Sequence, residues 1–173
     1  MRTFGFVDLV GFTAFCASNG DDEALGVLVG LRTHLRAVAP AYGVRIAKWL
    51  GDGAMLVGVE AVPLLETILA LQDEVCADAD LPLELRAGAV TGEVLLCEGD
   101  DHAGMAVNLA ARLCDAGAPG ELWVPADLAD LAPDGTVRRE VGPVRLPGLR
   151  GPIPVTALVT PLAAAMAGDP AVA

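Results

Sequence analysis

Two aspartates stand where the chain changes direction. Asp8 closes the apolar run Phe4-Gly5-Phe6-Val7, and Asp52 sits inside Gly51-Asp52-Gly53. Two carboxylates at the ends of neighbouring strands can hold divalent cations rigidly. Asp52 taken alone also reads as a turn aspartate before glycine. Asp8 taken alone also reads as a strand-end residue facing water, although burying it unpaired would be costly. A second pair, Asn108 and Arg112, is four residues apart and so shares one helix face. Arg112 can offer a charged fork to oxygens that gain negative charge during a reaction. Its plainer alternative is a surface ion pair with Asp115.

These side chains need elements to hold them. Residues Thr3 to Val10 read as a buried strand with Phe4, Phe6 and Asp8 on one face, broken by Gly11-Phe12-Thr13. A helix is expected from Asp21-Asp22-Glu23, where acidic side chains suit the N-terminal dipole, through to a stop at Gly43. Val44 to Leu50 and Ala54 to Val59 form a hairpin about the Gly51-Asp52-Gly53 turn. A helix opened by Pro63 follows, and Pro82 lies beyond its end. Leu83 to Val90 and Glu93 to Cys97 are expected to pair as strands, turning at Thr91-Gly92, with a loop from Gly99 to Gly104. A helix from about Met105 to Ala116 carries Asn108 and Arg112. Short strands follow at Leu122 to Pro125, Val137 to Leu146 and Val155 to Thr160. The order β-α-β-β-α-β predicts a ferredoxin-like α+β sandwich with helices on one face of the sheet. Residues 1–161 read as one domain, and 162–173 as an Ala-rich, flexible tail.

Composition narrows the partners. The chain has 173 residues, and 54% of them are hydrophobic, so a packed core is within reach and global disorder is not. A net charge of −12 repels nucleic-acid backbones and anionic lipid. An acidic protein can still hold a nucleotide triphosphate when metal ions bridge the charges. The four cysteines, Cys16, Cys76, Cys97 and Cys114, form no CxxC pair and read as small buried hydrophobes in a reducing cytosol. His34, His102, Trp49 and Trp123 read as packing or surface residues. The long uncharged stretch from Gly151 to Gly168 contains three prolines, which suits no membrane helix. With no signal-peptide pattern at the N-terminus, the reading is soluble and cytoplasmic.

Three segments resemble the signatures of the class III adenylyl and guanylyl cyclase catalytic domains, in that family's order. They are Phe6-Val7-Asp8-Leu9-Val10-Gly11-Phe12-Thr13, Lys48-Trp49-Leu50-Gly51-Asp52-Gly53, and Asp101 to Arg112 with its Val107-Asn108-Leu109-Ala110-Ala111-Arg112 core. The resemblance runs from about Phe4 to Leu158. It implies a ferredoxin-like α+β fold of the class III nucleotidyl cyclase type and conversion of ATP to 3′,5′-cyclic AMP and pyrophosphate. It implies Asp8 and Asp52 as ligands of two divalent ions, Mg2+ or Mn2+. The backbone of the Leu9 to Thr13 loop, with Phe12 and Thr13, would touch the triphosphate, and Gly11 would allow close approach.

The resemblance assigns Lys48 and Asp101 to the purine edge. A lysine donates to adenine N1 and a carboxylate accepts from the N6 amino group, whereas guanine presents the opposite polarity. Each residue read alone is also an ordinary solvated one. Asn108 would orient the ribose, and Arg112 would meet the charge on the α-phosphate. The family works as a dimer whose sites lie between subunits, the metal aspartates from one chain and Lys48, Asp101, Asn108 and Arg112 from the other. Expected partners are therefore ATP and a second copy of the chain, with no nucleic acid and no membrane.

Two departures from the pattern stand out. The segment between Gly92 and Asn108 is short, which reduces the usual dimer arm. In Leu146-Pro147-Gly148-Leu149-Arg150-Gly151, Pro147 stands where the family carries a phosphate-binding lysine, with Arg145 and Arg150 nearby as candidate replacements. The competing reading is a catalytically weak, cyclase-fold nucleotide-binding regulatory module. A diguanylate cyclase is a third reading, but Leu50-Gly51-Asp52-Gly53-Ala54 lacks the Glu and Phe of that family's turn.

Overall fold

The computed structural model describes residues 1–93, 95–96 and 102–166. Asp101 and Cys97 lie outside the described residues. The chain opens with β1 (Arg2–Leu9), α1 (Phe12–Asn19), α2 (Asp21–Ala41), β2 (Arg45–Leu50), β3 (Gly53–Gly58) and α3 (Ala61–Ala77). It continues with β4 (Leu85–Gly92), β5 (Leu95–Leu96), β6 (His102–Ala103), α4 (Met105–Ala116), β7 (Leu122–Pro125) and α5 (Ala126–Ala129). It closes with β8 (Val137–Arg145), β9 (Pro152–Val159) and α6 (Pro161–Met166). The main sheet has seven strands in the order β2-β3-β1-β4-β7-β9-β8. Its first four strands are antiparallel neighbours in the ferredoxin-like order.

Alternation along β1 decides what covers each face. Val7 and Leu9 join Leu31 and Leu35 of α2 and Leu64, Leu65, Ile68 and Leu71 of α3 in one core. Removing an aliphatic side chain from such a site costs about 2–5 kcal/mol. Phe4 and Phe6 point the other way, with Met55, Val57 and Val90. That second apolar face also needs a cover, and α4 supplies it through Ala106, Ala110 and Leu113. The expectation of helices on one face is corrected accordingly: α2 and α3 lie on one side of the sheet and α4 on the other.

Three further expectations change. Leu95 and Leu96, expected within a strand from Glu93 to Cys97 that returns along β4, do not pair with it, because both edges of β4 are taken at Ala87 and Gly88, by β1 antiparallel and by β7 parallel. Thr91-Gly92 is the end of β4, and Leu95–Leu96 pairs instead with His102–Ala103, inside the stretch read as a loop. The Gly11-Phe12-Thr13 break is the start of α1, not a loop leading to α2. Gly11 makes this possible by turning at φ 78. α1 buries no residue fully and carries no apolar stripe, with only Phe12 and Phe15 half-covered by the core. At the C-terminal end, Thr160 accepts a hydrogen bond from Ala163 N–H at 3.1 Å, ahead of Pro161 at the first position of α6.

α2 and α3 are tied by His34, whose Nε2 lies 2.7 Å from Asp78 Oδ2. That contact, with the Asp80 N–H, holds the Asp78 carboxyl below its ordinary value of 3.8. A depressed carboxyl stabilises the fold above its unfolded value and ceases to do so as pH falls through the folded one. Asp78→Asn should therefore lower the urea midpoint at pH values above the ordinary carboxyl value, and the gap from wild type should close as pH falls below about 3.8. A gap that stays constant to the acid limit would refute the link.

Among the described residues no helix is long and apolar enough to cross a membrane.

Candidate active site

The site is built at the end of β1. Asp8 lies opposite Gly53 of β3 and opposite Arg86 of β4. Leu9 N–H donates to Asp52 O at 3.3 Å, which folds the Gly51-Asp52 turn over the strand end. Gly53 has to be glycine here: a Cβ would stand 2.2 Å from Val7 O and 3.2 Å from Asp8 Oδ1. The sheet register thus brings Asp8 and Asp52 together, one from a strand and one from a hairpin turn.

Asp8 is half-buried, and its carboxyl is pushed above 3.8, first by burial and also by the charge of Asp52, against the opposing pull of Arg86. Arg86 Nη2 and Nε both donate to Asp8 Oδ2, at 2.6 and 3.0 Å. Arg86 Nη1 donates to Asp115 O at 2.8 Å, so this guanidinium joins the strand end to the last turn of α4. Arg86 is the site residue that sequence reasoning missed. A signal was available: an arginine inside the apolar strand Leu85-Arg86-Ala87-Gly88 demands a buried or half-buried anion, and β1 supplies one.

The two carboxylates suit a hard divalent ion. Mg2+ is commonly held by one or two carboxylates, with waters and substrate phosphates completing the shell. Among the described residues no cluster of three or more His, Cys, Asp or Glu could hold a metal. Burial and the neighbouring Asp52 charge both disfavour the ionised Asp8, and a cation would relieve both.

The remaining predicted residues are distributed as follows. Phe12 and Thr13 open α1 directly beyond the carboxylates, and Phe15 N–H to Gly11 O at 2.9 Å is a helical bond that leaves the amides of Phe12 and Thr13 ahead of it. Phe12 packs half-buried on the core, and Thr13 is exposed. Lys48 lies opposite Met55, which lies opposite Phe6. Lys48 therefore shares the sheet face of Phe6 and Asp8, with β3 between it and Asp8, and it is exposed. Asn108 and Arg112 are exposed on the side of α4 turned away from its buried stripe of Ala106, Ala110, Leu113 and Cys114. The alternative Arg112–Asp115 ion pair does not form among the described residues. Asp101 falls outside them. Pro147, Arg145 and Arg150 are exposed around the connection from β8 to β9. One chain thus joins Asp8, Asp52 and Arg86, and it presents Asn108 and Arg112 outward without contact to them. Of the residues read as packing, His102 meets Phe4 edge-on at 5.6 Å, and Trp49 lies 5.2 Å from the guanidiniums of both Arg32 and Arg36.

No protein-family model matches the chain. A pH-sensitive adenylate cyclase of Mycobacterium tuberculosis is 36% identical over 156 residues, covering 87% of this chain and 38% of that protein. An uncharacterized protein of the same organism is 36% identical over 149 residues, covering 86% of this chain and 39% of that protein. The chain therefore spans well under half the length of these relatives. The crystal structure of the adenylyl cyclase CyaB from P. aeruginosa superposes with a TM-score of 0.77 at 25% identity, covering 91% of this chain and 93% of that one. The catalytic core of a rhodopsin-guanylyl cyclase with converted specificity, in complex with ATPalphaS, shares the fold at a TM-score of 0.81 and 19% identity, over 92% of this chain and 94% of that one. With the strand order, the paired aspartates and the outward-facing Asn108 and Arg112, these likenesses place the chain in the class III adenylyl/guanylyl cyclase catalytic-domain family.

Proposed function

We propose that the chain converts ATP to 3′,5′-cyclic AMP and pyrophosphate at sites shared between two copies of itself. The observation that carries this reading is the division of the site residues. Asp8 and Asp52 meet at the end of β1, whereas Asn108 and Arg112 leave the same chain on the outer face of α4. The name of the mycobacterial relative supports the choice of ATP.

In this reading Asp8 and Asp52 hold two divalent ions, Mg2+ or Mn2+. Bound there, such ions make the ribose 3′-hydroxyl a better nucleophile and neutralise the triphosphate. The protein's own groups do the rest. The backbone amides at the start of α1, at Phe12 and Thr13, receive phosphate oxygens at a helix N-terminus. From the second copy, Lys48 donates to adenine N1 and Asp101 accepts from its amino group. Asn108 holds the ribose, and Arg112 stabilises the charge that builds on the α-phosphate. Both Arg86 bonds go to Asp8 Oδ2, so Oδ1 can receive a cation while the guanidinium stays in place beside the phosphates.

The deciding assay incubates the purified protein with ATP and Mn2+, and separately with GTP. ATP should be used better by about 10²-fold or more, because guanine would leave both polar contacts mismatched. Equal kcat/KM for the two nucleotides would overturn the roles of Lys48 and Asp101. Nucleotide binding without any cyclic product would favour the regulatory-module reading.

A further inference from the structure

Behind the Asp8–Arg86 pair, on the opposite face of β4, lies a cavity of about 330 Å3. Leu85, next to Arg86, forms part of its wall, and alternation along the strand points the two side chains to opposite faces. Leu81 and Leu83 from the connection between α3 and β4, Val159 of β9 and Met166 of α6 complete an apolar lining. The volume falls at the lower end of the range typical of small-molecule sites. None of the residues assigned to cyclase chemistry lines it.

Gln72 of α3 also lines this cavity and is only 3% exposed. Neither its Nε2 nor its Oε1 has a hydrogen-bond partner. Buried side-chain polar atoms are nearly always paired, because an unmade bond away from water is costly. The neighbouring inward positions of α3 are Ile68, Leu69, Leu71 and Val75, so an aliphatic residue would be the ordinary occupant of this position. A primary amide presents a donor and an acceptor side by side in one plane. Its complement is another planar edge with an adjacent donor and acceptor. Both amide atoms are presently covered by their neighbours. Their terminal torsion is broad and soft, so a modest rotation turns the amide toward the cavity.

Charge excludes the acidic version of such a ligand. The charged residues of the lining, Glu84 and Glu121, are both acidic, and Glu121 already accepts from Trp123 Nε1 and pairs with Arg139. A carboxylate would meet like charge in an apolar enclosure. We propose that this cavity binds a small, neutral, largely apolar molecule that presents an amide or lactam edge to Gln72. The proposal does not depend on the cyclase reading.

The test titrates ε-caprolactam into the 15N-labelled full chain and follows the Gln72 side-chain NH2 pair by NMR. That pair is assigned by its disappearance in Gln72→Met. Cycloheptanone, a ring of the same size without the N–H donor, is the control. Caprolactam should shift the Gln72 pair saturably. It should bind about tenfold more tightly than cycloheptanone and lose about tenfold in Gln72→Met, read in both proteins from the backbone amides of Val75 and Leu85 in the cavity wall, as expected for one or two neutral hydrogen bonds. Gln72→Met is nearly isosteric and removes two orphan polar atoms, so it should fold. Should it not, Ala163→Leu, which narrows the cavity from α6, must abolish the shift. No shift up to the solubility limit of the probe would overturn the proposal. Equal binding of lactam and ketone, or lactam binding unchanged in the variants, would overturn it as well, leaving water as the partner of Gln72.

Discussion

Asp8→Ala and Asp52→Ala should each reduce cyclic-nucleotide production by at least about 10³-fold, with the fold intact. The size of the effect follows from what the carboxylates are asked to do. A metal ligand contributes several kcal/mol of charge stabilisation in the transition state, and about 4 kcal/mol corresponds to a thousandfold in rate. Neither aspartate supports the core. Asp8 is half-buried at a strand end, and Asp52 lies in a turn whose contact with β1 runs through its backbone carbonyl. Removing Asp8 leaves Arg86 without its carboxylate, but Arg86 keeps Asp115 O and a side chain 28% exposed to water. The loss of stability should accordingly be far smaller than the loss of rate. Asp8→Asn separates the two effects: it keeps the volume and an acceptor for Arg86 but weakens cation binding. Mn2+ titration followed by calorimetry should show weakened binding in both alanine variants, in parallel with the loss of product. Near-wild-type turnover in either folded variant would remove Asp8 and Asp52 from the metal site.

Arg86→Ala offers a useful contrast. If the arginine only braced Asp8, its loss would ease cation binding and leave nucleotide affinity unchanged. Contact with the phosphates, as proposed above, predicts instead that Arg86→Ala weakens ATP binding in a calorimetric titration, because a guanidinium held beside Asp8 and the end of α4 is lost.

What the sequence made legible were elements with strong local signals. The hairpin around Asp52 was readable because Gly51-Asp52-Gly53 punctuates two alternating runs, and the structure places its turn there. α4 was readable from apolar residues at helical spacing, but its inward face was read with Val107 and Ala111 beside Ala110 and Cys114, whereas the fully buried residues are Ala106, Ala110, Leu113 and Cys114. α1 was not, because eight residues with no apolar stripe and no side-chain cap leave no periodic trace. Thr160-Pro161 did carry a helix-start signal that the Ala-rich composition hid. The pairing of Leu95 and Leu96 was misread for a different reason. Adjacent apolar runs suggest a hairpin, but only the tertiary arrangement reveals that both edges of β4 are already occupied. The site was legible only in part for the same reason. Asp8 and Asp52 advertise themselves by type and place, whereas Arg86 matters through a cross-strand register that no local pattern encodes.

That division of residues between two faces has its sharpest consequence in mixing. Asp8→Ala and Arg112→Ala should each be nearly inactive alone, since every site in either homodimer lacks one essential group. Arg112 sits on the outer face of α4 and makes no ion pair among the described residues, so its loss should leave folding almost untouched. The loss of its charge at the α-phosphate should cost about 2–4 kcal/mol of transition-state stabilisation, which keeps the starting background low. In a heterodimer of the two variants, one site lacks both groups. The other takes its metal aspartates from the Arg112→Ala chain and its arginine from the Asp8→Ala chain, and is whole. Mixing should therefore restore activity, to about half of the wild-type rate per heterodimer if the two sites act independently. A site contained within one chain predicts the opposite, because every chain in the mixture still carries its own defect. The readout is cyclic-AMP production against mixing ratio, with heterodimer formation followed by differently tagged chains. Recovery that peaks near equal amounts supports the shared site. No recovery, with heterodimers present, would sink the shared-site model and leave the metal assignment of Asp8 and Asp52 standing on its own test.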